Sequence, residues 1–278
     1  MTTYVQRLNA AAARNGSLLC VGLDAEPGKL PAHLQALPPA EAMLAFNREI
    51  IDATCDLVAA YKPNLAFYEA LGPAGMEAFR ATVAHVPHGI PVIADAKRGD
   101  IDNTTRAYAR AIFDVYGCDA ITANPYLGRD ALAPFLDRAD RGTYILCRTS
   151  NPGAADIAEL DVAGEPLYVR VAERAPTWTT HGNIGLVVGA TAPAQLARVR
   201  AVAAGVPILL PGVGAQGGDL AASMAAGLDS TGAGLLVVAA RQVMYASSGR
   251  DFAEAARAAA QHLRDQIESA RASAASAR

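Results

Sequence analysis

The chain of 278 residues is poor in lysine, cysteine and aromatic residues, carries no excess of basic charge, and has no long apolar run. Its 24 basic and 27 acidic residues leave a net charge of −3. With no basic face to expect, nucleic acid and anionic membrane surfaces are poor candidates for partners. No stretch approaches the roughly 18 consecutive apolar residues of a membrane span. The first residues, MTTYVQRLNAAAARNG, lack the apolar core of a secretory leader. Cys20, Cys55, Cys118 and Cys147 are far apart and form no CxxC pair. They read as free thiols of a reducing compartment rather than as a disulfide framework or a zinc site. With 52% hydrophobic and 18% charged residues, the composition is that of a folded globular chain. The expected setting is soluble and cytoplasmic.

Only three of the basic residues are lysine: Lys29, Lys62 and Lys97. The abundance of alanine and arginine is what GC-rich coding produces, so each surviving lysine merits inspection. A surface tolerates arginine, whereas a compact charge or a transferable proton calls for lysine. Lys29, in the loop sequence EPGKLP, reads as a surface residue.

Eight short apolar runs alternate with longer amphipathic stretches: 17–24, 59–67, 91–97, 120–127, 142–149, 183–190, 207–214 and 234–240. Helical patterns lie between them, as at 41–58, 103–117 and 192–205. Alternating strands and helices imply a parallel sheet, and continuously apolar strands imply cover on both faces. Eight such units match a (β/α)8 TIM barrel of about 250 residues. An open doubly wound sheet is the alternative, but no GxGxxG follows the first strand. No linker divides residues 1–278, which are read as one domain. The barrel is expected over about 17–265, ending in a helical tail that frays over 266–278.

In a barrel of this kind, reacting groups come from the C-terminal ends of the strands. Strand by strand, those ends carry Asp24, Lys62, Asp95-Ala-Lys97-Arg-Gly-Asp100, Asn124-Pro-Tyr, Arg148-Thr149-Ser150, Pro211-Gly-Val-Gly-Ala-Gln216 and Arg241. Asp95 and Lys97, two apart on a strand, project to the same face. With Lys62 they form a set of alternating charges able to shift one another's pKa values. The bland reading, an ion-pair network closing the barrel top, is weakened by the polar groups converging from most other strands. The glycine-rich loop after the seventh strand, with Arg241 after the eighth, is placed where barrel enzymes bind phosphate. No HExxH or GxSxG occurs, and none of the five histidines falls at the C-terminal end of a strand.

Together these residues resemble the orotidine 5′-phosphate decarboxylase family, in its longer bacterial subfamily. The resemblance covers about residues 17–245. It rests on Cys-Val-Gly-Leu-Asp24, Tyr-Lys62-Pro-Asn-Leu-Ala-Phe-Tyr-Glu69, Asp95-Ala-Lys97-Arg-Gly-Asp100-Ile101-Asp-Asn-Thr104, Asn124-Pro-Tyr-Leu-Gly, Arg-Thr149-Ser150-Asn-Pro-Gly and Pro211-Gly-Val-Gly-Ala-Gln216-Gly-Gly-Asp. One departure is visible: Ala239-Ala240 precede Arg241 where relatives often carry serines.

The resemblance implies conversion of orotidine 5′-monophosphate to UMP and CO2 without metal or organic cofactor. Lys97 would stabilise the carbanion at C6 and protonate it, and Asp95 would disfavour the ground-state carboxylate. Asp100 would join this charge array from the partner subunit of a homodimer, together with Ile101 and Thr104. Asp24 and Lys62 would hold the ribose, Lys62 also bracing Asp95. Ser150 would read the pyrimidine, Gln216 would link the phosphate to a closing loop, and Arg241 would bind the phosphate. Asn124, Thr149 and Pro211 complete the expected substrate-binding set.

Two other enzyme readings and one non-catalytic reading remain open on the residues alone. A magnesium-dependent sugar-phosphate lyase (hexulose-phosphate synthase or keto-gulonate-phosphate decarboxylase) shares the D-x-K-x-x-D strand. A Schiff-base aldolase would use Lys97 as its amine. A phosphometabolite-binding barrel would need the glycine loop and Arg241 but not the three charges around Lys97.

Overall fold

In the computed structural model, which describes residues 2–213 and 219–276, eight parallel strands form one sheet. In chain order they are Leu19–Gly22, Ala60–Lys62, Ile93–Arg98, Ala120–Ala123, Gly142–Arg148, Ile184–Val188, Ile208–Pro211 and Leu235–Ala239. The first pairs with both the second and the eighth, and each later strand lies beside its sequence neighbour. The second and third strands meet only through isolated bridges, Tyr61 to Val92 and Asn64 to Asp95, which bring the sheet nearly to closure. Every strand lies within one of the eight runs expected from sequence, apart from Arg98 at the end of the third. The strands are buried through almost all of their length because helices cover the outside. This is the expected TIM barrel.

Two apolar layers result. The outer one packs strand residues such as Val21, Ile121 and Leu210 against helix residues such as Phe46, Phe79, Phe135 and Ile267. The inner one, with Cys20, Ile93, Leu209 and Leu236, is floored by a helix at the N-terminus, Tyr4–Asn15. A capping box starts this helix: Thr3 Oγ1 accepts the Gln6 N–H and Gln6 Oε1 accepts the Thr3 N–H. Gly16 ends it in the left-handed region, φ 52°. Tyr4 reaches the barrel axis, where its hydroxyl lies 3.0 Å from that of Tyr144. The backbone of Gly185 leaves room for the Tyr144 ring, since a Cβ there would lie 2.5 Å from it.

Besides that N-terminal helix, three features depart from the sequence reading. The helix after the third strand, Asp102–Ala109, continues as a π-helical segment over Arg110–Val115. A small antiparallel hairpin, Asp161–Val162 with Glu165–Pro166, follows the fifth strand. The last helix runs from Phe252 to Ser276, well past residue 265, with Phe252, Ala256, Ala260, Leu263 and Ile267 buried on one side. That apolar stripe at helical spacing holds the helix to the barrel beyond the point where fraying was expected. Among the described residues no helix is long and apolar enough to cross a membrane.

Candidate active site

A cavity of about 490 Å3 opens at the C-terminal ends of the strands. Asp24, Lys62, Asp95 and Lys97 line one part of it, and Thr149, Ser150, Pro211 and Arg241 line another. The strand ends read from sequence therefore meet at one mouth. Gln216, also expected there, lies outside the described residues.

The centre of the charged part is Asp95. Its Oδ2 accepts from Lys62 Nζ at 2.7 Å, and its Oδ1 accepts from Lys97 Nζ at 2.6 Å. Thr122 Oγ1 adds a third hydrogen bond, donated to Oδ1 at 3.0 Å. Burial by itself would raise the Asp95 carboxyl, but the Lys62 and Lys97 ammonium groups outweigh it and hold the group well below the usual carboxylate range. Lys62 is 4% exposed. Its burial favours the neutral amine, yet Asp24 and Asp95 reverse that preference and raise it above its ordinary value. Asp24 is shifted upward because desolvation exceeds the pull of Lys62, whose Nζ is 3.9 Å from Asp24 Oδ2. Asp24 Oδ1 also accepts the Asn64 N–H at 3.1 Å. The Lys97 side chain is 48% exposed, so its ammonium both touches Asp95 and faces the cavity.

The opposite wall is built by backbone fit. A Cβ on Gly189 would come within 2.7 Å of the Ser150 Cα, so glycine lets the fifth-strand loop lie against the sixth strand's end. Thr191 Oγ1 donates to the Ser150 carbonyl at 3.3 Å, and Arg148 pairs with Glu159 at 2.8 Å. These contacts tie down the loop carrying Thr149 and Ser150. Tyr245 does the same for the first loop, its hydroxyl accepting the Glu26 N–H at 2.8 Å. Ala239 and Ala240 line the cavity beside Arg241, so no hydroxyl stands at those two positions.

Four expected residues do not line the cavity of their own chain: Asp100, Ile101, Thr104 and Asn124. Asp100 Oδ1 accepts the Ile101 N–H at 2.8 Å, and Ile101 is 59% exposed. Asn124 is exposed, and its Oδ1 caps the next turn by accepting the Tyr126 N–H at 3.0 Å. Conversely, Asn64, Phe67, Leu146, Val187 and Thr122 line the cavity without having been singled out from sequence. Leu146 and Val187 lie inside their strands, two residues and one residue before the strand ends.

Comparison with known proteins gives a consistent picture. Residues 17–259 match the family described as "Orotidine 5'-phosphate decarboxylase / HUMPS family". An orotidine 5′-phosphate decarboxylase of Thermomicrobium roseum is 53% identical over 269 residues, covering 96% of this chain and 95% of its own. One from Azoarcus is 49% identical over 266 residues, covering 95% and 98%. The structure of Leishmania donovani OMP decarboxylase superposes with a TM-score of 0.86 at 42% identity, covering 97% of this chain and 99% of that one.

Proposed function

The chain belongs to the orotidine 5′-phosphate decarboxylase / HUMPS family, and from that premise we propose how its cavity works. The enzyme decarboxylates orotidine 5′-monophosphate to UMP and CO2, a step of pyrimidine biosynthesis. One observation carries this reading: a buried aspartate gripped by two lysines, one of which also faces the cavity.

The substrate's C6 carboxylate enters beside Asp95, which remains ionised at neutral pH. Two neighbouring carboxylates repel; as neutral CO2 departs the negative charge moves from the carboxylate oxygens to C6, beside Lys97, so Asp95 disfavours the ground state more than the carbanion. The C6–carboxylate bond breaks and leaves its electron pair on C6. That pair lies in the ring plane, out of reach of ring delocalisation. The Lys97 ammonium stabilises it by fixed charge and then transfers a proton from Nζ to C6, giving UMP. Arginine would keep the charge but is a very poor acid. Lys62, charged and almost fully buried, keeps Asp95 ionised through the cycle. The half-exposed Lys97 regains its proton from solvent.

Asp24 and Lys62 bind the ribose hydroxyls, Thr149 and Ser150 face the base, and Arg241, Pro211 and Gln216 serve the phosphate end. Binding energy from the phosphate is used at the reacting centre. The reaction needs no metal or organic cofactor, because the chain's own charges supply the stabilisation. The working unit is a cytoplasmic homodimer built on one barrel domain. Asp100, Ile101 and Thr104 leave their own cavity and complete the partner's site. Exposed apolar groups on the neighbouring rim, Tyr126 at 86% and Leu127 at 46%, support packing mouth to mouth.

The test is the absorbance change of orotidine 5′-monophosphate on conversion to UMP, followed with EDTA-treated protein and no added metal. Turnover supports the reading. Activity on hexulose phosphates that appears only with magnesium would replace it with the lyase alternative.

A further inference from the structure

The third strand does not run regularly to its end. Ala94 pairs with Ile121 and Arg98 pairs with Ala123, so three residues, 95–97, face the single residue Thr122. Such a bulge leaves backbone groups without ladder partners and re-aims the side chains on it. Here the Asp95 N–H crosses to Pro63 O at 3.0 Å on the other side. The next two N–H groups, of Ala96 and Lys97, both donate to Thr122 Oγ1, at 3.1 and 2.9 Å. The hydroxyl gives its own proton to Asp95 Oδ1. One donor and two acceptor sites are all that a hydroxyl offers, so none remains for a ligand. Thr122 is 1% exposed. Lys97 stands at φ 49°, in the left-handed region that a lysine adopts only when its surroundings impose it. Leaving that region would turn the Lys97 side chain away from Asp95.

We propose that Thr122 is a positioning residue for the decarboxylation, its one hydroxyl fixing both the bulge that aims Lys97 and the carboxylate orientation of Asp95. The proposal rests on the reaction given above, in which Lys97 must sit at C6. Thr122 acts through Lys97 and Asp95, its hydroxyl having no hydrogen bond left to offer a substrate. Threonine suits the task because its β-branch restricts χ1 and keeps the hydroxyl in one direction.

Two pairs of proteins isolate the hydroxyl: wild type against Thr122→Val, which keeps the volume, and Thr122→Ser against Thr122→Ala, which both lack the methyl. Steady-state kinetics with orotidine 5′-monophosphate should show kcat lower by roughly 100-fold in Val and Ala, the scale of a reacting group displaced by about 1 Å. KM should change little, and Ser should recover most of the turnover lost in Ala. If circular dichroism shows the Val protein unfolded, the Ser–Ala pair decides. Amide hydrogen exchange of the ligand-free proteins gives a readout that needs no substrate. The Ala96 and Lys97 amides should exchange faster in Val and Ala than in wild type and Ser. Equal kcat in Ser and Ala, or unchanged exchange at these two amides in Val and Ala, overturns the proposal. A wild type that does not turn over the substrate overturns the reading of the reaction instead, and the exchange result then still reports whether Thr122 holds the bulge.

Discussion

Lys62 Nζ lies 2.7 Å from Asp95 Oδ2 and so joins the second strand to the third, where the sheet has only isolated bridges. The pair thus closes the barrel and holds the Asp95 carboxylate in place. It is well buried, with side chains 5% and 10% exposed. Removing one member of such a pair is expensive, because the other charge stays behind without its partner. Lys62→Met should lower stability by about 3 kcal/mol, on the scale of a broken buried pair, as measured by urea unfolding. Lys97 still touches Asp95, so the carboxylate is not orphaned completely and the fold should survive. A Lys62→Met protein as stable as wild type would show that the closure does not depend on this pair.

Lys97 offers the opposite case, a residue whose loss should cost activity and little stability. Its side chain is half exposed and Asp95 retains Lys62 without it. Lys97→Ala should abolish decarboxylation with a melting temperature close to wild type. Lys97→Arg should lose at least roughly 100-fold in kcat, the lower end of general acid–base contributions, because it keeps a charge and gives up the acid. Near-normal turnover by Lys97→Arg would remove the proton-donor role.

The convergence of Lys97 with Asp95, Lys62 and Asp24 was legible in the sequence because strand ends are set by short apolar runs, and those runs are unmistakable here. What escaped was the part decided by the third dimension. The helix Tyr4–Asn15 precedes the first strand and falls outside the strand–helix alternation; its signals are the capping box of Thr3 and Gln6 and the shared face of Leu8 and Ala11. Thr122 sits inside an apolar run, AITAN, two residues before the strand end at Asn124, and its value comes from a bulge on a neighbouring strand that no pattern in its own strand announces. Asn124 shares a motif with the family, yet its side chain is used as a turn cap. The tail reads as helical with an end that frays over 266–278, as chain ends do, but Ile267, Ala270 and Ala274 pack against the core.

Alkaline pH should weaken the fold through buried thiols. Burial pushes the Cys20 thiol up to about 12, whereas an unfolded chain releases that proton near about 8.5. Between those values the folded state keeps a proton that the unfolded state has lost, so stability falls as pH rises, by about 1.4 kcal/mol per pH unit for each such thiol. Cys147, likewise pushed up to about 12, adds a second. The acid side runs the other way. The lowered Asp95 contributes stability that is present above the ordinary carboxylate value and is lost as pH falls through its lower folded value. Urea unfolding at pH 9 and pH 11 should therefore show a steep loss for wild type and a shallower one for Cys20→Ala. Equal slopes would mean that Cys20 does not contribute.

Asp100 decides whether the site is shared. It is three residues beyond Lys97, past Gly99, and it does not line the cavity of its own chain. Gly99 permits this exit: a Cβ there would come within 3.1 Å of the Asn124 carbonyl oxygen. If two barrels pack mouth to mouth, Lys97→Ala and Asp100→Ala proteins should each be inactive alone and active after subunit exchange. In a mixed dimer one site carries both lesions and the other carries neither. With equal amounts and random pairing, half of the dimers are mixed and half of their sites are intact, so about one quarter of all sites should recover under two-fold symmetry. The recovered sites should show the wild-type KM, since each is assembled from unaltered residues. Exchange can be followed independently with differently tagged subunits. Exchange without recovery would confine Asp100 to its own subunit or remove it from the reaction.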